Sequence, residues 1–374
     1  MSRPLLINAK SYPNNFDFVR FVLAASVILC HSYAILYGYD KFLHTEPFMV
    51  MSRQQISIGS VAVNFFFIIS GFLIVKSFES SKDTFDYLKK RVLRIYPGFI
   101  AALLICYLVV GFLGSGWPIN FDGYKEYFSY LHEKKELVHL VTLQQPFQRA
   151  FFKDLPLPGL NDSVWTIQFE FGCYLLVPLV ALIGFFRKKW LFIIAFFAMY
   201  VLVFMQWYGY FWPFKSYSFL LLENPWYYPR FITYFLAGAC VYFYRDKIIR
   251  SNILAIVSFI LMLLSFAWIK CVEQVLPIAG TYLLFFIVFH PAIKLGNFAK
   301  YGDFSYGVYL YGWPVQGLIM YYFKDHLTPL LFFITALPVA IMCAYCSWHL
   351  IENTFLKLKK KKTNAFQKEL VKSA

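Results

Sequence analysis

The sequence predicts an all-α, polytopic membrane protein: a bundle of about ten transmembrane helices. Of its 374 residues, 60% are hydrophobic, 22% are aromatic and only 15% are charged. The mean hydropathy of +0.57 is high for a water-soluble domain. Apolar runs long enough to cross a hydrocarbon core of about 30 Å recur along the chain. No series of alternating ten-residue segments suggests a transmembrane barrel instead.

The helices are predicted from these runs, and their orientation from the basic residues. With the N-terminus inside, the inner segments hold 24 of the 35 Lys and Arg residues. This excess favours both termini on the cytoplasmic side of the cell membrane. The ten predicted spans lie at about 16–37, 58–78, 95–114, 163–186, 190–208, 228–245, 252–269, 275–293, 303–323 and 328–350.

The spans divide the chain into one membrane domain, 1–356, and a basic cytoplasmic tail, 357–374. Within the domain, a long outer loop at about 115–162 is a candidate functional segment, because long loops in compact proteins often are. The net charge of +15 lies in short loops and in the tail. We therefore expect the lipid bilayer as a partner and no nucleic acid. Six of the seven cysteines lie in apolar runs, with no disulfide framework and no metal-ligand spacing.

The first span carries a cation and an imidazole. Arg20 and His31 are eleven residues apart, close to three helical turns, so both side chains leave one face of the helix. Ionisable groups inside a membrane are costly and therefore indicate function. A packing histidine is the alternative interpretation of His31. We favour a catalytic role, in which the imidazole accepts a proton near neutral pH and activates a hydroxyl.

Two polar side chains on other spans lie at about the depth of His31. From the predicted spans, His31, Glu170 and Asn64 lie roughly 8 to 10 Å below the outer surface. We expect the Glu170 carboxylate within hydrogen-bond reach of the imidazole, or one water away, where it would orient the ring. The alternatives are an ion pair of Glu170 with Arg20 or Arg230, and a packing role for Asn64 in an interhelical hydrogen bond.

A pair of arginines at the inner end of the third span suits phosphate binding. Arg91 and Arg94 are three residues apart and share a helix face, and two guanidinium groups match phosphate oxygens. Ordinary positive-inside charge is the alternative. In that case Glu352, at the inner end of the last span, is a structural partner for these arginines. Next to the second span's centre, Ser70-Gly71 is small enough for helices to approach closely.

Six segments of the chain form a series of motifs. They are Phe16-Asp17-x-x-Arg20 followed by His31, Ala62 to Ile74, Arg91-x-x-Arg94-Ile95-x-Pro97, Trp165 to Tyr174, Gly302-x-x-Ser305-Tyr306-x-x-Tyr309-Leu310, and Ile351-Glu352. In this order they resemble the acyltransferase-3 family of integral-membrane O-acyltransferases. Three departures from the family pattern are present: Ala62 for Gly, Asn64 for Asp and Cys173 for Phe. Because Asp is common at position 64 in that family, we assign Asn64 no proton transfer. The resemblance leaves open whether His31 is a base or carries the acyl group itself.

The resemblance implies transfer of an acyl group, expected to be acetyl, from cytoplasmic acyl-CoA to a sugar hydroxyl of an extracytoplasmic polysaccharide or its lipid-linked precursor. No metal is implied, and polysaccharide-synthesis machinery is a possible partner. A proton-coupled transporter or flippase, and a non-catalytic export scaffold, are the alternatives. The implied site residues are His31, Glu170 and Arg20 for catalysis, Arg20, Arg91 and Arg94 for the donor, and Asp17, Asn64 and Trp165 for the substrate.

Overall fold

The computed structural model describes residues 3–4, 15–133, 138–146, 151–210 and 224–358. The predicted tail lies outside the described residues from 359 onward. Throughout the described ranges the chain is helical, apart from loops and one two-residue antiparallel ladder between β1 (Arg3–Pro4) and β2 (Ile249–Arg250). The predicted all-α membrane class is therefore confirmed.

The described residues form thirteen helices, numbered in chain order, and the π-helical turns that continue a helix are counted as part of it. They are α1 Phe16–Thr45, α2 Pro47–Met51, α3 Ile58–Glu79, α4 Thr84–Leu113, α5 Phe121–Glu133, α6 Val138–Thr142, α7 Ile167–Leu182, α8 Trp190–Trp207, α9 Tyr228–Tyr244, α10 Asn252–Ile269, α11 Val272–Val288, α12 Ser305–Phe323 and α13 Pro329–Leu358.

Each predicted span has a helical counterpart. In the described chain, seven segments are long and apolar enough to cross a membrane by length and composition. The other three predicted spans correspond to α9, α11 and α12, which are shorter or more polar. The protein is thus polytopic, while the count of ten and the inside position of both termini stay predictions.

Two predicted boundaries differ from the structure for local reasons. The first helix continues past the predicted end at 37 to Thr45, although the backbone leaves helical geometry at Gly38 (φ +74°). That positive φ suits glycine, and its α-carbon lies against Pro156. The third span begins at Thr84 rather than about 95, because Asp83 caps the helix by accepting a hydrogen bond from the amide of Asp86.

Prolines inside two helices leave a backbone carbonyl without its helical N–H donor, and a side chain from another segment donates a hydrogen bond to that carbonyl. Pro314 lacks the N–H that would bond the carbonyl of Leu310, and Asn161 Nδ2 donates to that carbonyl at 2.9 Å. Likewise Pro178 frees the carbonyl of Tyr174, which accepts from the Tyr87 hydroxyl at 2.9 Å. These contacts join distant segments at fixed points of α12 and α7.

The second predicted span, α3, lies at the centre of the bundle. In its most apolar stretch 61% of the residues are buried, against 11% in α8 at the lipid-facing periphery. A Cβ on Gly71 would lie 1.9 Å from the carbonyl oxygen of Phe235, and one on Gly238 would lie 1.9 Å from that of Ile68. The backbones of α3 and α9 therefore touch, which confirms the close approach predicted from Gly71.

The predicted outer loop is partly helical and partly buried. It contains α5 and α6, and its last part, 151–161, packs onto α12. Phe151 and Phe152 are almost fully buried. The indole N–H of Trp313 donates to the carbonyl of Gly159 at 2.9 Å. This segment therefore closes the bundle at one end, called here the loop end; the opposite end, with Arg20, Arg91 and Arg94, is the basic end.

Candidate active site

His31 on α1 lines a cavity of about 120 Å³ toward the loop end. Its ring packs edge-on against Trp313, with ring centroids 4.8 Å apart. Among the described residues, Nδ1 of His31 has no hydrogen-bond partner. An imidazole at a cavity wall without a fixed partner is available to a substrate. The cavity, called here the His31 cavity, is lined by Val27, Cys30, His31, Ser57, Gly59, Ser60, Val63, Ser163, Trp165, Arg230, Phe231 and Tyr309.

Glu170 on α7 lines a second cavity, of about 110 Å³, toward the basic end. Its carboxylate accepts hydrogen bonds from the Tyr174 hydroxyl at 2.5 Å and the Ser70 hydroxyl at 3.3 Å. Two donors on two helices therefore fix the carboxylate. This cavity, the Glu170 cavity, is lined by Arg20, Val63, Phe66, Phe67, Arg94, Ile95, Thr166, Ile167, Glu170, Tyr174, Ser305, Tyr306 and Tyr309.

The two cavities share walls. Val63 on α3 and Tyr309 on α12 line both. The Tyr309 hydroxyl and the Thr166 hydroxyl are hydrogen-bonded at 2.6 Å. Arg20 lines one cavity and His31 the other, as expected for two side chains on one face of α1. The two cavities therefore adjoin along the bundle, with Arg20 at one and His31 at the other, and Val63 and Tyr309 lie between them.

Among the described residues, no direct hydrogen bond joins Glu170 to His31, and the contact through one water stays a prediction. Within the described chain, the carboxylate of Glu170 accepts hydrogen bonds from Ser70 and Tyr174, and the His31 ring lies against Trp313. The prediction rested on equal depth in two spans. Depth fixes the height of a side chain but not its direction around the bundle axis, and here the two groups face different cavities.

Buried ion pairs hold the basic end together. Asp303, in the loop before α12, lies 3.1 Å from Arg20 Nη1 and 2.5 Å from Arg94 Nη2. Arg20 also pairs with Asp17, and Arg94 lies 3.7 Å from Glu352. Although burial raises the pKa of Asp303, the two guanidinium groups outweigh it and hold that pKa well below its usual range. The network ties α1, α4, the Asp303 loop and α13.

This network changes the interpretation of Arg94. Two cations, Arg20 and Arg94, face the three carboxylates of Asp17, Asp303 and Glu352. The cluster carries no surplus positive charge for a phosphate, and Glu352 is the structural partner that the alternative interpretation proposed. A guanidinium whose N–H groups already donate to carboxylates cannot donate the same N–H groups to a ligand.

Arg91 differs from its neighbour. Its Nη2 donates to the Ser77 hydroxyl at 3.0 Å, and the guanidinium lies over the rings of Tyr87 and Tyr174. In the described chain Arg91 has no carboxylate within ion-pair distance, and its Nε has no hydrogen-bond partner. Of the two predicted phosphate ligands, Arg91 is the one whose charge is not already neutralised.

The three predicted substrate contacts have different surroundings. Trp165 lines the His31 cavity. Asp17 instead pairs with Arg20 and lines neither cavity. Asn64 is fully buried, and neither its amide oxygen nor its nitrogen has a hydrogen-bond partner among the described residues. Among the described residues, Asn64 therefore does not form the interhelical hydrogen bond that was considered for it. Asp17 and Asn64 are thus not among the residues that line either cavity.

Arg230 on α9 also lines the His31 cavity, and it does not pair with Glu170. Its Nη2 lies 3.0 Å from Glu273, which also accepts from the Tyr234 hydroxyl at 3.0 Å. Arg230, which was considered as a partner for Glu170, therefore pairs with Glu273 on α11. Sequence reasoning missed Glu273, although an acid between two apolar runs was a usable signal.

Asp303 and Tyr309 were also missed as site residues. Asp303 stands inside the Gly302 to Leu310 motif and is the one acid between 274 and 324. An isolated carboxylate at the start of an apolar helix on the basic side could have been matched to Arg20 and Arg94. For Tyr309 the sequence carries no such signal, because its role depends on Thr166, 143 positions away.

Residues 14–349 match the family of sequences described as an acyltransferase domain, acyltransferase-3. This match covers most of the chain. The chain belongs to the acyltransferase-3 family. It is therefore a multi-pass membrane O-acyltransferase that uses an acyl donor, and the transporter and scaffold interpretations are set aside.

Named relatives agree with this assignment. The chain is 29% identical over 350 residues to "O-acetyl transferase" of Shigella phage Sf6, covering 92% of this chain and 96% of the relative. It is 28% identical over 177 residues to "Nodulation protein 10" of Rhizobium leguminosarum bv. viciae, covering 46% and 45%. It is 26% identical over 172 residues to "Acyltransferase MdmB" of Streptomyces mycarofaciens, covering 43% and 37%. No solved structure matches the chain.

Proposed function

We propose that the protein transfers an acetyl group from cytoplasmic acetyl-CoA to a sugar hydroxyl of a polysaccharide, or of its lipid-linked precursor, on the other side of the membrane. The observation that carries this proposal is the pair of adjoining cavities, one with Arg20 and Glu170 and the other with His31. A donor and an acceptor that enter from opposite ends can meet at His31.

The donor enters at the basic end, which the excess of Lys and Arg predicts to be the cytoplasmic end. Arg91 contacts a phosphate of the CoA moiety, since its guanidinium is free of carboxylates. The pantetheine arm lies in the Glu170 cavity, where the fixed carboxylate accepts a hydrogen bond from an amide N–H of the arm. Arg20 and Arg94 shape this cavity through the Asp303 network and do not bind phosphate.

The acceptor enters at the loop end. Trp165 lines the His31 cavity and also a neighbouring cavity of about 250 Å³. The neighbouring cavity is bordered by the rings of Phe169 and Tyr227 and by the amides of Gln145 and Asn224. Aromatic faces beside amide groups suit a sugar, which offers apolar C–H faces and hydroxyl groups. The relative named O-acetyl transferase supports a hydroxyl as the acceptor group.

The chemistry at His31 is a single proton relay. The imidazole takes the proton of the sugar hydroxyl while its oxygen attacks the thioester carbonyl carbon. The carbon–sulfur bond breaks, and the imidazolium returns its proton to the departing thiolate. The products are the sugar ester and free CoA, and no group is left on the enzyme.

Purified protein in lipid nanodiscs tests this function. With acetyl-CoA labelled in the acetyl group and a surface polysaccharide from a strain lacking the gene, the label should enter the polysaccharide and free thiol should form in equal amount. Label that stays in the donor for every acceptor tried, with folded protein, would contradict the proposal.

Substituting glutamine for Arg91 is expected to weaken donor binding. Loss of one charged contact to a phosphate removes about 1.5–3 kcal/mol, which corresponds to roughly 10- to 100-fold in the donor KM. The acceptor KM and kcat should change little. Initial rates at varied acetyl-CoA measure this, with Lys188→Gln, an exposed charge in the turn after α7, as the matched control. An unchanged donor KM would mean that Arg91 does not bind the donor and contributes only to the positive charge that orients the protein in the membrane.

Glu170→Gln separates donor positioning from control of His31. Because the carboxylate faces the Glu170 cavity and not the imidazole, the donor KM should rise by roughly tenfold, the value of one charge-assisted hydrogen bond. The pH dependence of kcat should stay that of the wild type. Rates measured across pH 5 to 9 decide this. A shift of the profile with an unchanged donor KM would restore the predicted coupling between Glu170 and His31.

A further inference from the structure

Arg230 carries the one permanent charge among the described residues that line the His31 cavity, and none of those lining residues is acidic. It lies in the first turn of α9, which begins at Tyr228. A cation there opposes the positive end of the helix dipole, and its position within an apolar bundle adds a further cost. A charge at a position that is unfavourable on both counts indicates a function.

The ion pair with Glu273 fixes the guanidinium and leaves part of it available. One oxygen of the buried Glu273 carboxylate lies 3.0 Å from Nη2 of Arg230, and the other accepts from the Tyr234 hydroxyl at 3.0 Å. Among the described residues, Nη2 is the one nitrogen of Arg230 with a partner. The side chain is 23% exposed, so a ligand in the cavity that it lines can reach it. Arg94, by contrast, faces two carboxylates with both terminal nitrogens.

The other polar groups of the cavity suit a neutral acceptor. Hydroxyls of three serines line it and match the hydroxyls of a sugar: Ser57, Ser60 and Ser163. A neutral sugar and a thioester bring no charge for Arg230 to bind. Negative charge develops during the reaction, on the thioester carbonyl oxygen, as the sugar oxygen bonds to the carbonyl carbon. In a space of about 120 Å³ lined by both His31 and Arg230, that oxygen lies near the guanidinium.

We propose that Arg230 is a second catalytic residue, which stabilises the oxyanion formed when the sugar hydroxyl attacks the thioester. The inference rests on the proposed function and adds the group that bears the developing charge. While His31 takes the hydroxyl proton, a carbonyl electron pair moves onto the oxygen, which accepts a hydrogen bond from Arg230. Arg230 transfers no proton. The carbonyl re-forms as the carbon–sulfur bond breaks. Glu273 is a positioning residue, because it holds the donor in place before the charge appears.

The double variant Arg230→Gln/Glu273→Gln, purified in lipid nanodiscs, tests this role. Both charges are removed together, so no buried charge is left unpaired, and the midpoint of thermal unfolding should stay near that of the wild type. The kcat should fall about 10²- to 10³-fold, the effect of losing one oxyanion donor, with little change in either KM. The matched control is Arg245→Gln, at the other end of α9, where Nη1 donates to the Tyr242 carbonyl; it should keep the wild-type kcat.

Arg230→Met/Glu273→Met fills a similar volume with apolar groups and makes the same prediction if the glutamine pair does not fold. A folded double variant with the wild-type kcat would overturn the proposal, while label transfer by the wild type would keep the proposed function. A raised acceptor KM at unchanged kcat would overturn it too, since Arg230 would then bind the acceptor before reaction. No transfer by the wild type would overturn the proposed function and this role together.

Discussion

Replacing His31 by alanine is expected to abolish acyl transfer while the protein still inserts and folds. General acid–base catalysis by a positioned side chain contributes about 10²–10⁴-fold, so kcat should fall by that factor. Donor binding should persist, because Arg91 and Glu170 lie toward the other end of the path. The loss of a ring that packs on Trp313 leaves a small space at a cavity wall, where little packing is lost.

The measurement is label transfer from acetyl-CoA by purified variant, with the amount of folded protein judged by gel filtration. His326→Ala, an exposed histidine in the turn after α12, is the matched control and should keep wild-type activity. If His31→Ala retained a tenth or more of the wild-type kcat, His31 would be a packing histidine, and the base would have to be sought elsewhere in the cavity.

Asp303→Asn is expected to destabilise the protein strongly. Removal of one partner from a buried ion pair costs about 3–5 kcal/mol, and the partial exposure of both arginines favours the lower end of that range. The substitution leaves Arg20 and Arg94 facing each other with less compensating charge. The midpoint of thermal unfolding in detergent should fall by several degrees, whereas Asp325→Asn, exposed beyond α12, should not change it.

The same network predicts a pH dependence. Because the pKa of Asp303 is depressed in the folded state, its stabilising contribution is fully present above the unfolded pKa of about 3.9. This contribution is lost as the pH falls through the pKa that Asp303 has in the folded protein. The stability of Asp303→Asn should not show this decrease at low pH. If Asp303→Asn kept the unfolding midpoint of the wild type but raised the donor KM, Arg94 and Asp303 would be assigned to donor binding instead of to stability.

Much of the fold and part of the site could be predicted from particular residues. Arg20 and His31 fall on one helix face whatever the rest of the chain does, since helical periodicity alone decides it. Gly71 marked the close contact of α3, and Trp165 marked a cavity wall. In each case the property is local to one helix, so a single sequence carries it.

The remaining features depend on contacts between distant segments. The direction of Glu170 around the bundle axis follows from Ser70 on another helix, and the neutralisation of Arg94 follows from Asp303, 209 positions away. The burial of the outer loop follows from acceptors on α12, including the Leu310 carbonyl that Pro314 leaves free. Periodicity and depth carry no information on these pairings.

We expect donor and acceptor to reach His31 from opposite sides of the membrane. Bacterial cells that express the protein yield inverted vesicles, with the cytoplasmic face outward, and right-side-out vesicles. Acetyl-CoA does not cross the membrane, so externally added labelled donor should acetylate acceptor trapped inside inverted vesicles. It should label nothing in right-side-out vesicles until they are permeabilised. Labelling of intact right-side-out vesicles by external donor, absent with His31→Ala, would show that the donor enters at the loop end and would rule out entry from the cytoplasm.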